Sequence, residues 1–269
     1  MEEFAKRRTW GPEPRFPLVE AYVPPSDKFV VISGPCSVES SEQIKKIAIL
    51  VASEATHLRG GVFRAGTYPG KKFGIVDTEL LRAYQEAAVN NGLSNIIEVL
   101  DYNKWSLYQL SKHCSAFQVG ARQMQNYTLL RTLGDFGKPV FLKRHPGSTL
   151  DEWLGAAEHL LTGGVTELYL IERGSVSHLN HVRWDLSISM IPAVKAITRI
   201  PVIVDGSHGT GRRDLVEPMT LAGVAAGAGG ILVEVHEDPV NSLSDPEQAI
   251  TPDAFMRLMN KVNKIKGVR

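Results

Sequence analysis

Residues 200–245 read IPVIVDGSHGTGRRDLVEPMTLAGVAAGAGGILVEVHEDPVNSLSD. An apolar run, PVIV, stops at Asp205 and His208. A helix-like stretch rich in small residues follows, and a second run, ILV, stops at Glu234, His236 and Asp238. A strand buried in a parallel sheet is almost continuously apolar, so strand formation does not call for acids and imidazoles at these points. The stretch reads as strand, polar turn, helix, strand, polar turn. Two neighbouring strands that empty carboxylate and imidazole into one place suggest a metal site.

The same alternation extends towards the amino terminus. Apolar runs fall at 29–33 (FVVIS), 61–65 (GVFRA), 95–100 (NIIEVL), 116–120 (AFQVG), 139–143 (PVFLK) and 167–171 (ELYLI), ahead of 201–205 and 231–235. Amphipathic stretches lie between them. Several open on capping residues and acids, as at Ser41, Asp77 and Thr149, and two close on glycine pairs, Gly163-Gly164 and Gly229-Gly230. Eight strands alternating with helices predict an α/β fold, a single (β/α)8 TIM barrel over residues 29–269. Residues 1–28, polar and proline-rich, read as an N-terminal extension, an arm or short lid over one end of the barrel. The structural competitor is a doubly wound open sheet. Against it, GPCSVES stands after the first strand where that fold would carry GxGxxG.

The chain has 269 residues, 43% of them hydrophobic and 22% charged, as in a soluble protein with a large core. A net charge of +1 gives no field that would draw nucleic acid or an anionic membrane. Two cysteines, Cys36 and Cys114, without a CxxC motif, fit a reducing compartment. The first residues lack the apolar run of a signal peptide, and no stretch approaches the ~18 uninterrupted apolar residues of a membrane span. The expectation is a cytoplasmic protein.

Barrel enzymes work at the carboxyl-terminal ends of their strands. Here those ends carry Cys36, Arg64, Glu98, Arg122, Lys143, Arg173, Asp205 with His208, and Glu234, with Arg59 just ahead of the second predicted strand. Alone, Cys36 reads as readily as a small buried residue, and His208 as a hydrogen-bonded turn histidine. Joined by Glu234 and Asp245 they form a donor set of thiolate, imidazole and carboxylate that suits Mn, Fe, Co or Zn better than Mg or Ca. His236 stays open between ligand, support and substrate contact, and Cys114 reads as core. Arg122, Lys143 and Arg173 each stand where an apolar strand has just ended. Any one of them could be a surface ion pair. Together on a metal-bearing face they point to a dianionic substrate, since Arg grips phosphate or carboxylate bidentately and Lys adds a point charge, and a small molecule with both groups would use the cluster fully.

The segments GPCSVES, GARQMQN, FLKR, ERG, VDGSHGTGRRD and LVEVHEDPVNSLSD resemble, in order and near-family spacing from about Phe29 to Phe255, the 3-deoxy-arabino-heptulosonate 7-phosphate (DAHP) synthases. They are closest to the subgroup that also resembles the 3-deoxy-manno-octulosonate 8-phosphate synthases. The resemblance implies a metal-dependent, aldol-type condensation of phosphoenolpyruvate with an aldose phosphate, erythrose 4-phosphate by default. It implies metal ligands Cys36, His208, Glu234 and Asp245, and substrate contacts from Arg59, Arg64, Thr67, Arg122, Lys143 and Arg173. The expected catalytic set is Arg64, Glu98, Lys143 and His208. A homo-oligomer, dimer or tetramer, is expected as well. With the first strand near residue 29, an appended regulatory domain is not expected.

One block departs. The family carries Lys-Pro-Arg-Thr after its second strand, whereas this chain has Arg64-Ala65-Gly66-Thr67. The lysine has become Arg64 and the acceptor arginine Gly66, with Lys71 and Lys72 a few residues on as possible substitutes. His145-Pro146 also stands where glycine and an apolar residue are usual. Three rival readings follow: the same chemistry on a different aldehyde, a non-catalytic phosphoenolpyruvate-binding protein, and a metal-dependent hydrolase that would leave the cations unexplained.

Overall fold

Eight parallel strands close into a barrel in sequence order, with β8 pairing back onto β1. They are β1 (Val30–Gly34), β2 (His57–Arg59), β3 (Ser94–Val99), β4 (Ala116–Val119), β5 (Val140–Lys143), β6 (Leu168–Glu172), β7 (Val202–Asp205) and β8 (Gly230–Glu234). The computed structural model describes residues 15–62, 78–100 and 103–267. The expected (β/α)8 barrel is the observed fold. An open doubly wound sheet would have left two unpaired edges, and this sheet has none.

Seven of the predicted strands lie within a residue or so of their apolar runs. The second does not. GVFRA at 61–65 is not a described strand: Gly61 makes one isolated bridge to Ser37, and residues 63–65 lie outside the described part. The strand is His57–Arg59 instead, too short and too polar to show as an apolar run. Its place is set by backbone pairing on both sides, Leu58 opposite Ser33 on β1 and Asn95 on β3. Arg59 therefore sits at a strand's carboxyl end and not ahead of one.

Two apolar layers hold the barrel. The lumen is filled by inward residues of successive strands, among them Ile32, Ile96, Phe141, Ile171, Ile203 and Leu232. The outer faces pack on helices, for example Trp153, Leu154 and Leu160 of helix Leu150–Thr162. That helix starts on a capping box, the Thr149 hydroxyl accepting from the Glu152 amide while the Glu152 carboxylate accepts from the Thr149 amide. Upstream, the amides of Leu18 and Val19 donate to the Glu158 carboxylate of the same helix. The Tyr22 hydroxyl donates to the Thr166 carbonyl and accepts from the Leu168 amide, at the amino-terminal mouth of the barrel. The site described below is at the other end.

His57 lies at that amino-terminal end, edge-on to Phe141 at 5.4 Å, and Phe141 in turn stacks on Tyr169 at 4.5 Å. Burial pulls its imidazole pKa down to about 4. The folded protein therefore resists protonating a group that the unfolded chain protonates near 6.5. This contribution is fully favourable above pH 6.5 and is lost as pH falls from 6.5 towards 4, on the order of 3 kcal/mol. Urea midpoints at pH 7 and pH 5 test it: the wild type should lose stability between them, and His57→Gln should lose much less.

Candidate active site

Cys36, His208, Glu234 and Asp245, gathered from opposite ends of the sequence, each offer one ligand atom within 4.8 Å of the others. Gly34 makes the first of these placements possible. Its φ is +142°, and a Cβ there would stand 2.2 Å from the Arg59 carbonyl, so only glycine lets β1 close on β2 just before Cys36. Asp205 caps the short helix Gly206–Thr210 by accepting from the His208 amide at 2.9 Å, which turns the His208 ring back into the barrel mouth. Glu234 ends β8. Asp245 comes from the following loop in a left-handed conformation (φ 48°), unusual for a residue with a Cβ and maintained by its neighbours. Ser244 bonds Ser37 at 2.9 Å, the Leu243 amide donates to Glu39 at 2.8 Å, and the Cys36 thiol donates to Asp245 at 3.0 Å. The two loops are thus joined residue by residue.

These donors fit a divalent cation. His208 Nδ1 lies 2.8 Å from Asp205 Oδ2, a contact that selects the Nδ1–H tautomer. Nε2 then turns its lone pair on Glu234 Oε1 at 3.2 Å, acceptor against acceptor. A cation ligated by both resolves that opposition. Burial also lowers the His208 pKa against the pull of Asp205 and Glu234, which favours the neutral, ligating form. Burial alone would raise the pKa of Glu234, yet His208 and Arg59 hold its carboxyl below the usual range, and His208 and Lys143 do the same for Asp205.

Cations border the cluster. The Arg59 guanidinium, 5% exposed, pairs with Glu234, and Lys143 Nζ donates to Asp205 at 3.1 Å. Arg173, buried after β6, lies over the Trp184 ring at 5.1 Å. Arg122 follows β4 on a short 3-10 turn and is exposed. Glu98 on β3 accepts from Gln118 at 3.3 Å and packs so closely on Gly120 that a Cβ there would come within 2.2 Å of its carboxylate. Arg64, Thr67, Lys71 and Lys72 lie outside the described residues.

A family model, the DAHP synthetase I family, matches residues 24–267. The chain belongs to the DAHP synthetase I family. It is 36% identical over 238 residues to a phospho-2-dehydro-3-deoxyheptonate aldolase of Thermotoga maritima, a match covering 88% of this chain and 70% of that protein. A crystal structure of the Thermotoga maritima DAHP synthase is similar with a TM-score of 0.85 at 35% identity, covering 90% of this chain and 71% of that one. A truncated form of the same enzyme gives 0.82 at 34% identity, with 88% of that chain covered. A 2-dehydro-3-deoxyphosphooctonate aldolase of Desulfotalea psychrophila is 26% identical, covering 88% of this chain. As a member of the family the chain is an enzyme of the DAHP synthase type. The cluster of Cys36, His208, Glu234 and Asp245 is its candidate site for a divalent metal. None of the described helices of this DAHP synthase relative is long and apolar enough to cross a membrane.

Several buried groups around the site were not singled out from the sequence. Gln248 donates to Glu234 Oε2 at 2.6 Å, orienting the carboxylate. Arg144 and Glu172, each fully buried, pair behind Lys143 and Arg173. Their signal was present in FLKR and IERG: alternate residues of a strand face opposite ways, so a charge beside an inward cation faces outward and needs a partner. His236, left open by the sequence, is outside the ligand cluster. Its Nδ1 accepts from the Asp238 amide at 3.0 Å and its Nε2 faces Gln43 at 2.9 Å, bracing the loop that bears Asp245.

Proposed function

We propose that this chain condenses phosphoenolpyruvate with an aldose phosphate, erythrose 4-phosphate by default, releasing inorganic phosphate and forming DAHP. The observation that carries the reading is the juxtaposition of a four-donor metal cluster with the buried cations Arg59, Lys143 and Arg173 at one barrel mouth. Acidic donors alone would suit many metal enzymes. The bordering cations favour a dianionic substrate and disfavour the hydrolase reading.

In this proposal Arg59, Arg122, Lys143 and Arg173 hold the phosphate and carboxylate of phosphoenolpyruvate. Cys36, His208, Glu234 and Asp245 would hold the metal, with Mn, Fe, Co or Zn preferred over Mg or Ca by the thiol and imidazole. When bound, it supplies Lewis acidity towards the acceptor's carbonyl oxygen. Asp205 keeps His208 in its tautomer, and Lys143, bonded to Asp205, lies 3.5 Å from the His208 ring. C3 of the enol attacks the aldehyde carbon, water adds at C2, and the C2–O bond to phosphate breaks with phosphate as leaving group. Glu98 is proposed to orient that water or a neighbouring lysine. Holding two reactants in register supplies up to ~7–11 kcal/mol of the barrier. Arg64 and Thr67 are proposed to contact substrate.

A second reading, the same chemistry on another aldehyde, is favoured by Arg64-Ala65-Gly66-Thr67, where the acceptor arginine of the family is missing. Phosphate release from phosphoenolpyruvate across a panel of phosphorylated and unphosphorylated aldoses, with added Mn, Co or Zn, decides between them. Highest kcat/KM with erythrose 4-phosphate supports the first reading and a different best acceptor the second. Binding of phosphoenolpyruvate without release for any aldehyde sinks both.

A further inference from the structure

The Lys143–Asp205 and Arg173–Trp184 contacts hold only the tips of two proposed phosphoenolpyruvate cations, and a second pair holds the backbone they spring from. The register of β5 on β6 places Lys143 opposite Ile171, and hence Arg144 beside Glu172. Both side chains of this second pair face away from the lumen, and both are fully buried. The Arg144 guanidinium uses every edge. Nε donates to Glu172 Oε2, Nη2 donates to Glu172 Oε1 at 2.9 Å and to Ser175 Oγ at 2.6 Å, and Nη1 donates to the Ser148 carbonyl at 3.1 Å. Glu172 Oε1 also accepts from the Gly174 amide at 2.8 Å. Gly174 itself sits at φ +96°, so the turn that carries Arg173 is closed by the carboxylate on one side and a glycine-only conformation on the other.

We propose that Arg144 and Glu172 are positioning residues for phosphoenolpyruvate: their buried pair sets the spacing and direction of Lys143 and Arg173, each its direct chain neighbour. This rests on the reading of Lys143 and Arg173 as phosphoenolpyruvate contacts. A buried ion pair is a poor way to gain stability, since apolar residues of similar volume often do as well or better. Arg144 and Glu172 offer something apolar groups lack, a rigid fork that ties β5, β6 and both of their following loops together.

The test uses the metal-loaded enzyme and the double variant Arg144→Met/Glu172→Leu, which removes both charges together. The expected result is a folded protein whose Tm falls modestly as the Gly174 amide and the Ser148 carbonyl lose their partners, with unchanged affinity for added Mn and a KM for the acceptor within about threefold. Against these, KM for phosphoenolpyruvate should rise about tenfold or more, because displacement of a positioning group by ~1 Å costs up to 10²-fold. Glu172→Asp, which keeps the charge and both acceptor oxygens on a shorter arm, should recover part of that loss and guards against a double variant that fails to fold. An unchanged KM for phosphoenolpyruvate in the double variant overturns the proposal, as does an equal loss in every parameter together with Tm. Arg173→Met is measured alongside. If it also leaves KM for phosphoenolpyruvate unchanged, the assignment of Arg173 fails, and that failure is distinct from one of the pair.

Discussion

Alanine at position 208 should abolish metal-dependent phosphate release, lowering turnover by about 10³-fold or more, the scale on which a preorganised electrostatic group acts. His208 occupies the junction of the cluster. One ring nitrogen bonds Asp205 and the other faces Glu234, while Lys143 Nζ lies 3.5 Å from the first. Removing the ring takes a ligand from the metal and leaves Asp205 with Lys143 as its remaining charged partner. The protein should still fold, since the Arg59–Glu234 and Lys143–Asp205 pairs survive and the lumen packing lies below the site. Cys36→Ser should be milder. It keeps an oxygen donor in place of sulfur, so bound metal should weaken and preference should move from Zn towards harder ions. Metal content by mass spectrometry, circular dichroism and phosphate release from phosphoenolpyruvate separate the cases. Full turnover by His208→Ala after chelation and dialysis would end the metal assignment.

What could be read from the chain, and what could not, follows from how each feature is encoded. β7 and β8 are fully buried runs whose apolar residues stop where ligands begin, so strand and site were visible in the same letters. β2 is three residues of mixed polarity that pair because β1 and β3 offer free edges, information that resides in the neighbours. Asp245 belongs to no strand. The sequence names it as a ligand, but what holds it in place is the set of bonds between residues 36–39 and 242–245, contacts more than two hundred positions apart that no local pattern records. The support of the site was hidden for the same reason. Gln248, Glu172 and Arg144 look like ordinary polar residues until burial leaves each of them dependent on a specific partner.

The second large effect concerns the anion side. Lys143→Met and Arg173→Met should both raise KM for phosphoenolpyruvate, yet differ in what else they damage. A charge-assisted hydrogen bond is worth ~1.5–3 kcal/mol, so losing one costs about 10–100-fold in affinity. Arg173 stacks on Trp184 and has no described carboxylate bonded to it, so its loss should be confined to substrate binding, with little change in Tm. Lys143 also neutralises the fully buried Asp205. Its removal leaves a buried carboxylate short of a partner, a change that costs ~3–5 kcal/mol. Lys143→Met should therefore lower stability, phosphoenolpyruvate affinity and kcat together. Lys143→Arg should not restore kcat, because a planar guanidinium of different reach cannot take the place of an ammonium packed against both Asp205 and His208. Steady-state kinetics beside thermal unfolding measures all three. A Lys143→Arg variant with wild-type kcat would show that the position needs only a charge, and would remove Lys143 from the catalytic set.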